Sequence, residues 1–128
     1  MKKIYIWGTG KGMSYITKNI DLKKVLILGL IDNDINKVGL KIGEYSIICP
    51  EQIKHDVDYI IISVMYTYSE IKKQLYAMNY SESKILCYFD KYDKNINYTT
   101  DFINHTLRIC DLLEISEQKQ KNRERNLE

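Results

Sequence analysis

The chain has little of the material from which metal centres, disulfide scaffolds and membrane spans are built. Its three cysteines, Cys49, Cys87 and Cys110, are an odd set, lie far apart and form no C-x-x-C pair. They suit small buried hydrophobes in a reducing compartment better than disulfides or zinc ligands, so no metal is expected. The only histidines, His55 and His105, each lack a nearby cysteine or an acid partner of the kind a catalytic triad needs. No apolar run is long enough to span a bilayer, and Met1-Lys2-Lys3 leads into a strand-like segment without the apolar region and cleavage site of a secretion signal. A cytoplasmic domain is expected. Charge of one sign is scarce as well: 19 basic and 17 acidic side chains leave a formal +2, too weak a field to hold nucleic acid by counterion release. Internal repeats are absent.

What remains is a composition for one hydrophobic core: 128 residues, 45% hydrophobic and 28% charged. Ile4-Tyr5-Ile6-Trp7 is a β-branched and aromatic run with no polar face, the pattern of a parallel strand covered on both sides. Met13, Ile16 and Ile20 recur at helical spacing and predict a helix over 12–19. A second strand is expected over 25–31, stopped by the turn-favouring Asp32-Asn33-Asp34, and a weaker third over 45–48, with Pro50 opening a short helix after it. Ile60-Ile61-Ile62-Ser63-Val64 is the strongest buried-strand signal. Ser69 is the expected N-cap of a helix through about Met78, and 84–89 gives a fifth strand.

Strands alternating with helices imply right-handed βαβ crossovers. The expectation is an α/β, three-layer, Rossmann-like domain over residues 1–97, with a mostly parallel five-stranded sheet in the order 3-2-1-4-5. A C-terminal amphipathic helix is expected within 98–126, with Phe102, Ile103, Leu107, Cys110 and Leu113 on one side and an apolar-free tail from Ser116. Leu127-Glu128 reads as a purification-tag junction.

Between the first strand and the first helix stands Gly8-Thr9-Gly10-Lys11-Gly12. Phosphates bind at such a place because the first N–H groups of a helix lack intrahelical partners and carry positive potential, while glycines let the backbone approach the anion. Asp32 follows Gly12 by about 20 residues, the separation at which an acid at the tip of strand two meets ribose hydroxyls and disfavours a 2′-phosphate. If the ligand is a dinucleotide, that geometry points to NAD rather than NADP. The fingerprint is incomplete, since Met13 stands where G-x-G-x-x-G has its third glycine, and Tyr5 and Gly12 break the P-loop pattern. Lys11 remains available as a point charge for a phosphate. The alternative for the turn is purely steric, and for Asp32 a turn-forming or capping role. Asn33 more simply shapes the loop. Ligands in such sheets lie beyond the carboxyl ends of the strands, which brings Ser63, Val64 and Tyr66 opposite the turn, Tyr66 as a stacking surface or merely an exposed loop residue.

Tyr68 and Lys72 share the Tyr-x-x-x-Lys spacing of short-chain dehydrogenases, but directly after strand four and without the preceding serine, in a chain with 11 tyrosines. Coincidence is the reading. No catalytic constellation is visible, and the basic tail Lys119, Lys121, Arg123 and Arg125 suits solubility.

The glycine turn, Gly29-Leu30-Ile31-Asp32-Asn33-Asp34, Cys49-Pro50-Glu51-Gln52-Ile53 and Asp58-Tyr59-Ile60-Ile61-Ile62 together resemble a known module. It is the Rossmann-like nucleotide-binding domain of bacterial polysaccharide-biosynthesis proteins, attached to nucleotide-sugar dehydratases, glycosyl or phosphosugar transferases and FkbM-type methyltransferases. Similar domains precede the hexapeptide repeats of sugar acyltransferases. The resemblance covers about residues 2–89. It implies that the glycine turn and Asp32 hold NAD or the nucleotide half of a UDP-sugar, with chemistry in a neighbouring domain. Two further expectations stand beside it: a complete small NAD-dependent oxidoreductase or epimerase acting on a sugar nucleotide, and a non-catalytic scaffold dimerising through Leu107, Cys110 and Leu113.

Overall fold

The computed structural model describes residues 2–20, 22–54, 56–64 and 66–87. The central strand β1 (Lys2–Trp7) alternates its side chains between two cores. Ile4 and Ile6 join one buried cluster, Tyr5 and Trp7 the other. Helix α1 (Lys11–Asn19) covers the first face with Met13 and Ile16, followed by Ile20. It starts one residue before the expected Gly12. Strand β2 (Val25–Ile31) has the expected bounds and pairs parallel with β1.

The sheet has six strands in the order β3-β4-β2-β1-β5-β6, not five in the order 3-2-1-4-5. The difference is β3 (Lys41–Ile42), an antiparallel edge strand against β4 (Tyr45–Ile48). Gly43, at φ 60°, opens a two-residue turn between them, and a glycine first in such a turn matches the twist of a hairpin. Two residues are too few for alternation to reveal. All other neighbouring pairs, including β5 (Tyr59–Ile62) with β1 and with β6 (Ile85–Cys87), are parallel.

Helix α2 (Tyr68–Ala77) covers the second face with Tyr68, Ile71 and Leu75. Its N-cap is Thr67 rather than Ser69: the stripe at i, i+3 and i+7 begins with Tyr68, so burying that ring draws the helix start forward. The helix ends at a left-handed Asn79 (φ 69°), with Tyr80 N–H donating to Leu75 C=O (3.1 Å) and Asn79 N–H to Tyr76 C=O (3.0 Å), the paired bonds that satisfy a last turn. Pro50 opens a 3₁₀ turn (Pro50–Gln52) as expected, while Lys84 closes another (Glu82–Lys84) instead of starting β6. With α1 and α2 on opposite faces, the sheet is doubly wound and three-layered.

Among the described residues no helix is long and apolar enough to cross a membrane. Phe89, His55, His105, the expected C-terminal helix, the basic tail and Leu127-Glu128 lie outside the described residues.

Candidate functional site

Parallel pairing brings three strand ends to one level. Trp7 is opposite Ile31 on one side and Ile62 on the other, so Gly8, Asp32 and Ser63 form the next row, at the carboxyl edge of the sheet. Backbone bonds extend the ladders into that row: Gly8 N–H to Ile31 C=O (2.9 Å), Ser63 N–H to Trp7 C=O (2.9 Å) and Asp32 N–H to Ile48 C=O (3.1 Å). Above it lies a cavity of about 820 Å³. Gly8, Thr9, Gly10, Lys11 and Gly12 line it, as do Asp32, Asn33, Ser63, Val64 and Tyr66.

The glycines of the turn differ in their reasons. Gly8 has φ 126°, and a β carbon there would lie 2.7 Å from Val64 Cγ2 and closer still to Ser63 Oγ. Its smallness is demanded by the fold. Gly10, at φ −103°, is the N-cap of α1, and a β carbon on it would meet nothing within 4 Å. The protein itself makes no steric demand for glycine at that position; its bare backbone faces open space. Met13, where a third glycine would stand in the full dinucleotide fingerprint, is buried among Ile4, Ile6 and Leu30, so α1 rests on the sheet through a side chain instead of by close backbone approach.

Helix α1 begins without a side-chain cap and without an acid in its first turn, and its first residue is Lys11. Among the described residues, its leading N–H groups therefore have no side-chain cap and its dipole no first-turn acid. Helix α2, on the opposite wall of the cavity, carries Glu70 in its first turn. The first turn of α1 thus carries a cation where that of α2 carries an acid.

The loop after β2 is shaped by its short polar side chains. Asp32 Oδ1 accepts from Asp34 N–H (2.8 Å) and Asp34 Oδ1 from Asn36 N–H (3.0 Å), two successive Asx turns. Asp32 Oδ2 accepts from Thr9 Oγ1 (3.0 Å) and pairs with Lys37 Nζ at 3.6 Å. The acid thus shapes the loop and also lines the cavity. Asn33 reaches across to α2 in a reciprocal amide pair with Gln74, 3.2 Å in each direction.

Ser63 is buried, and its hydroxyl donates to Trp7 C=O (2.9 Å), so its side chain serves the turn first. Val64 packs against the second core cluster, while Tyr66 stands 89% exposed at the rim. Tyr68 is buried and, like Lys72, lies outside the cavity lining, which leaves the Tyr-x-x-x-Lys spacing without a site. Lys37, Thr67, Glu70 and Gln74 also line the cavity and were not among the expected residues. Glu70 and Gln74 form an i, i+4 pair on the polar face of α2, but nothing local ties that face to the glycine turn.

A solved structure of UDP-D-quinovosamine 4-dehydrogenase from Vibrio fischeri is similar in fold, with TM-score 0.52 and 19% identity over 88% of this chain and 98% of that one. No curated protein matches the chain. The family model described as C2185-like, N-terminal, matches residues 1–86, and the chain belongs to that family.

Proposed function

We propose that this domain is a nucleotide-binding module, taking NAD or a nucleotide-sugar at the carboxyl edge of its sheet for a bacterial glycan-assembly protein whose chemistry belongs to another domain. The observation that carries the reading is the glycine turn itself: an uncapped helix N-terminus with Lys11, open space above Gly10, and Asp32 in the same cavity. A diphosphate satisfies the free N–H groups, and the diol of the attached ribose meets the acid. The cavity, at about 820 Å³, falls within the range of small-molecule sites, roughly 300–1,000 Å³.

The test is thermal stabilisation by NAD or a UDP-sugar in the intact chain and in Gly10→Val. Ligand at a hundred times its dissociation constant stabilises by about 2.7 kcal/mol. The variant, whose isopropyl group fills the approach to the turn, is expected to lose that effect. The absence of a shift with every nucleotide at millimolar concentration would overturn the reading. A second reading, a complete small sugar-nucleotide oxidoreductase, draws on the dehydrogenase of similar fold. It requires NAD-dependent turnover of a UDP-sugar by this chain alone. The dimerising scaffold rests on Leu107, Cys110 and Leu113, which lie outside the described residues.

A further inference from the structure

The cavity asks two opposed things of one short stretch of wall. Thr9 belongs to the turn that receives an anion, and its hydroxyl is 3.0 Å from Asp32 Oδ2. A carboxylate so close to the turn repels the phosphates that the turn attracts, because two like charges a few ångströms apart interact strongly where solvent is partly excluded. Asp32 is only 18% exposed, so water screens it incompletely.

Lys37 stands between the two. Its ammonium lies 3.6 Å from Asp32 Oδ2 and 3.5 Å from Thr9 Oγ1, touching the acid and the turn at once. Backbone bonds fix the loop that carries it. Lys37 N–H donates to Asp34 C=O (3.0 Å) and Leu40 N–H to Lys37 C=O (3.1 Å), while Gly39 and Leu40 are tied to Ile47 of β4 by two bonds of 2.8 Å. Gly39, at φ 91°, supplies the bend that lets the chain return to β4. The Asx turns of Asp32 and Asp34 thus end by delivering a cation back to the first acid.

We propose that Lys37 is a positioning and specificity-determining residue: it neutralises Asp32 so that one small cavity holds a diol-reading acid beside a diphosphate-binding turn. This rests on the nucleotide-binding reading above. Asp32 then orients the ribose without expelling the phosphates, and the ligand class that satisfies both groups is a nucleoside 5′-diphosphate or its ester. Lys37 acts on the phosphates through Asp32, and the compensation is electrostatic, so it requires charge and not the lysine shape.

Titration calorimetry with inorganic pyrophosphate, which has no diol, and with ADP and UDP, tests this in Lys37→Met, Lys37→Arg, Asp32→Asn and the double variant Asp32→Asn/Lys37→Met. Lys37→Met is expected to weaken pyrophosphate and the preferred nucleoside diphosphate at least tenfold. Lys37→Arg stays within threefold. For pyrophosphate the double variant returns to within threefold of the unsubstituted chain, because removing the acid removes the need for its partner. Lys37 is half exposed, so melting temperatures should barely move and a folding defect is separable. A pyrophosphate affinity changed less than twofold in Lys37→Met overturns the proposal alone, as does a double variant still tenfold weakened, which would make the lysine a direct phosphate ligand. Failure of pyrophosphate, ADP and UDP to bind the unsubstituted chain at millimolar concentration overturns the nucleotide reading together with this one.

Discussion

Alanine at Gly8 and alanine at Gly10 should have very unequal consequences for stability, although only Thr9 separates the two glycines in the same turn. At Gly8 the φ of 126° is one that side chains rarely adopt, and the added methyl would collide with Ser63 and Val64. Backbone strain of this kind costs about 1–3 kcal/mol, and forcing an extra methyl into packed surroundings costs about another 1–3 kcal/mol. Gly8→Ala is therefore expected to destabilise by about 2–6 kcal/mol, a large share of the ~5–15 kcal/mol available to a domain. At Gly10 the φ of −103° lies outside the left-handed region and the methyl meets nothing within 4 Å. Losing glycine at an N-cap costs about 0.5–1 kcal/mol, and restricting the unfolded chain returns about 0.4–1 kcal/mol, so Gly10→Ala should lie within about 1 kcal/mol of the parent. Urea denaturation followed by circular dichroism measures both. Equal destabilisation by the two substitutions, or a harmless Gly8→Ala, would refute the division of the turn into one glycine that packing demands and one that it does not.

Three further substitutions probe the start of α1, the docking of α2 and a buried phenol. Lys11→Glu places an acid at the uncapped start of α1 and should raise stability by about 0.3–1 kcal/mol. The same change should weaken any phosphate-bearing ligand, which thermal melts with and without nucleotide would reveal. Leu75 is fully buried on α2 against the second core cluster, so Leu75→Ala should cost about 2–5 kcal/mol in urea. A cost below 1 kcal/mol would mean α2 is not docked as described. Burial, and secondarily the neighbouring Tyr5, hold the Tyr80 phenol above its ordinary value of 10.0. The unfolded chain then releases that proton first, so this contribution is intact below about pH 10 and is lost as pH rises through the folded value. Stability measured between pH 9 and 11 should fall less steeply in Tyr80→Phe; parallel curves would contradict the shift.

The features written into local chemistry are legible in the sequence. Apolar runs without a polar face identify β1, β2 and β5, and the glycines after Trp7 mark a strand-to-helix turn. The acid about 20 residues on is legible because a βαβ unit has a characteristic length. What the sequence hides depends on long-range placement or on elements too short to carry a period. The strand Lys41–Ile42 has two residues, and its signal is the turn glycine Gly43 rather than any alternation. Ser69 looks like a better cap than Thr67, but the burial of Tyr68 decides where α2 begins. Lys37 belongs to no motif; it reaches Asp32 only because two Asx turns fold the intervening loop back on itself. Glu70 and Gln74 join the site through the pairing of β1 with β5, a contact between segments more than fifty residues apart in sequence.

The central claim, that the glycine turn and Asp32 form a nucleotide site, is tested most directly by an amide-resolved NMR titration with NAD and with a UDP-sugar. Saturable shifts are expected at the amides of Gly10, Lys11 and Gly12, with smaller ones at Asp32 and Tyr66, and should be lost in Gly10→Val. Unchanged amides across 8–12 at millimolar ligand, or saturable shifts that cluster elsewhere on the sheet, would contradict it.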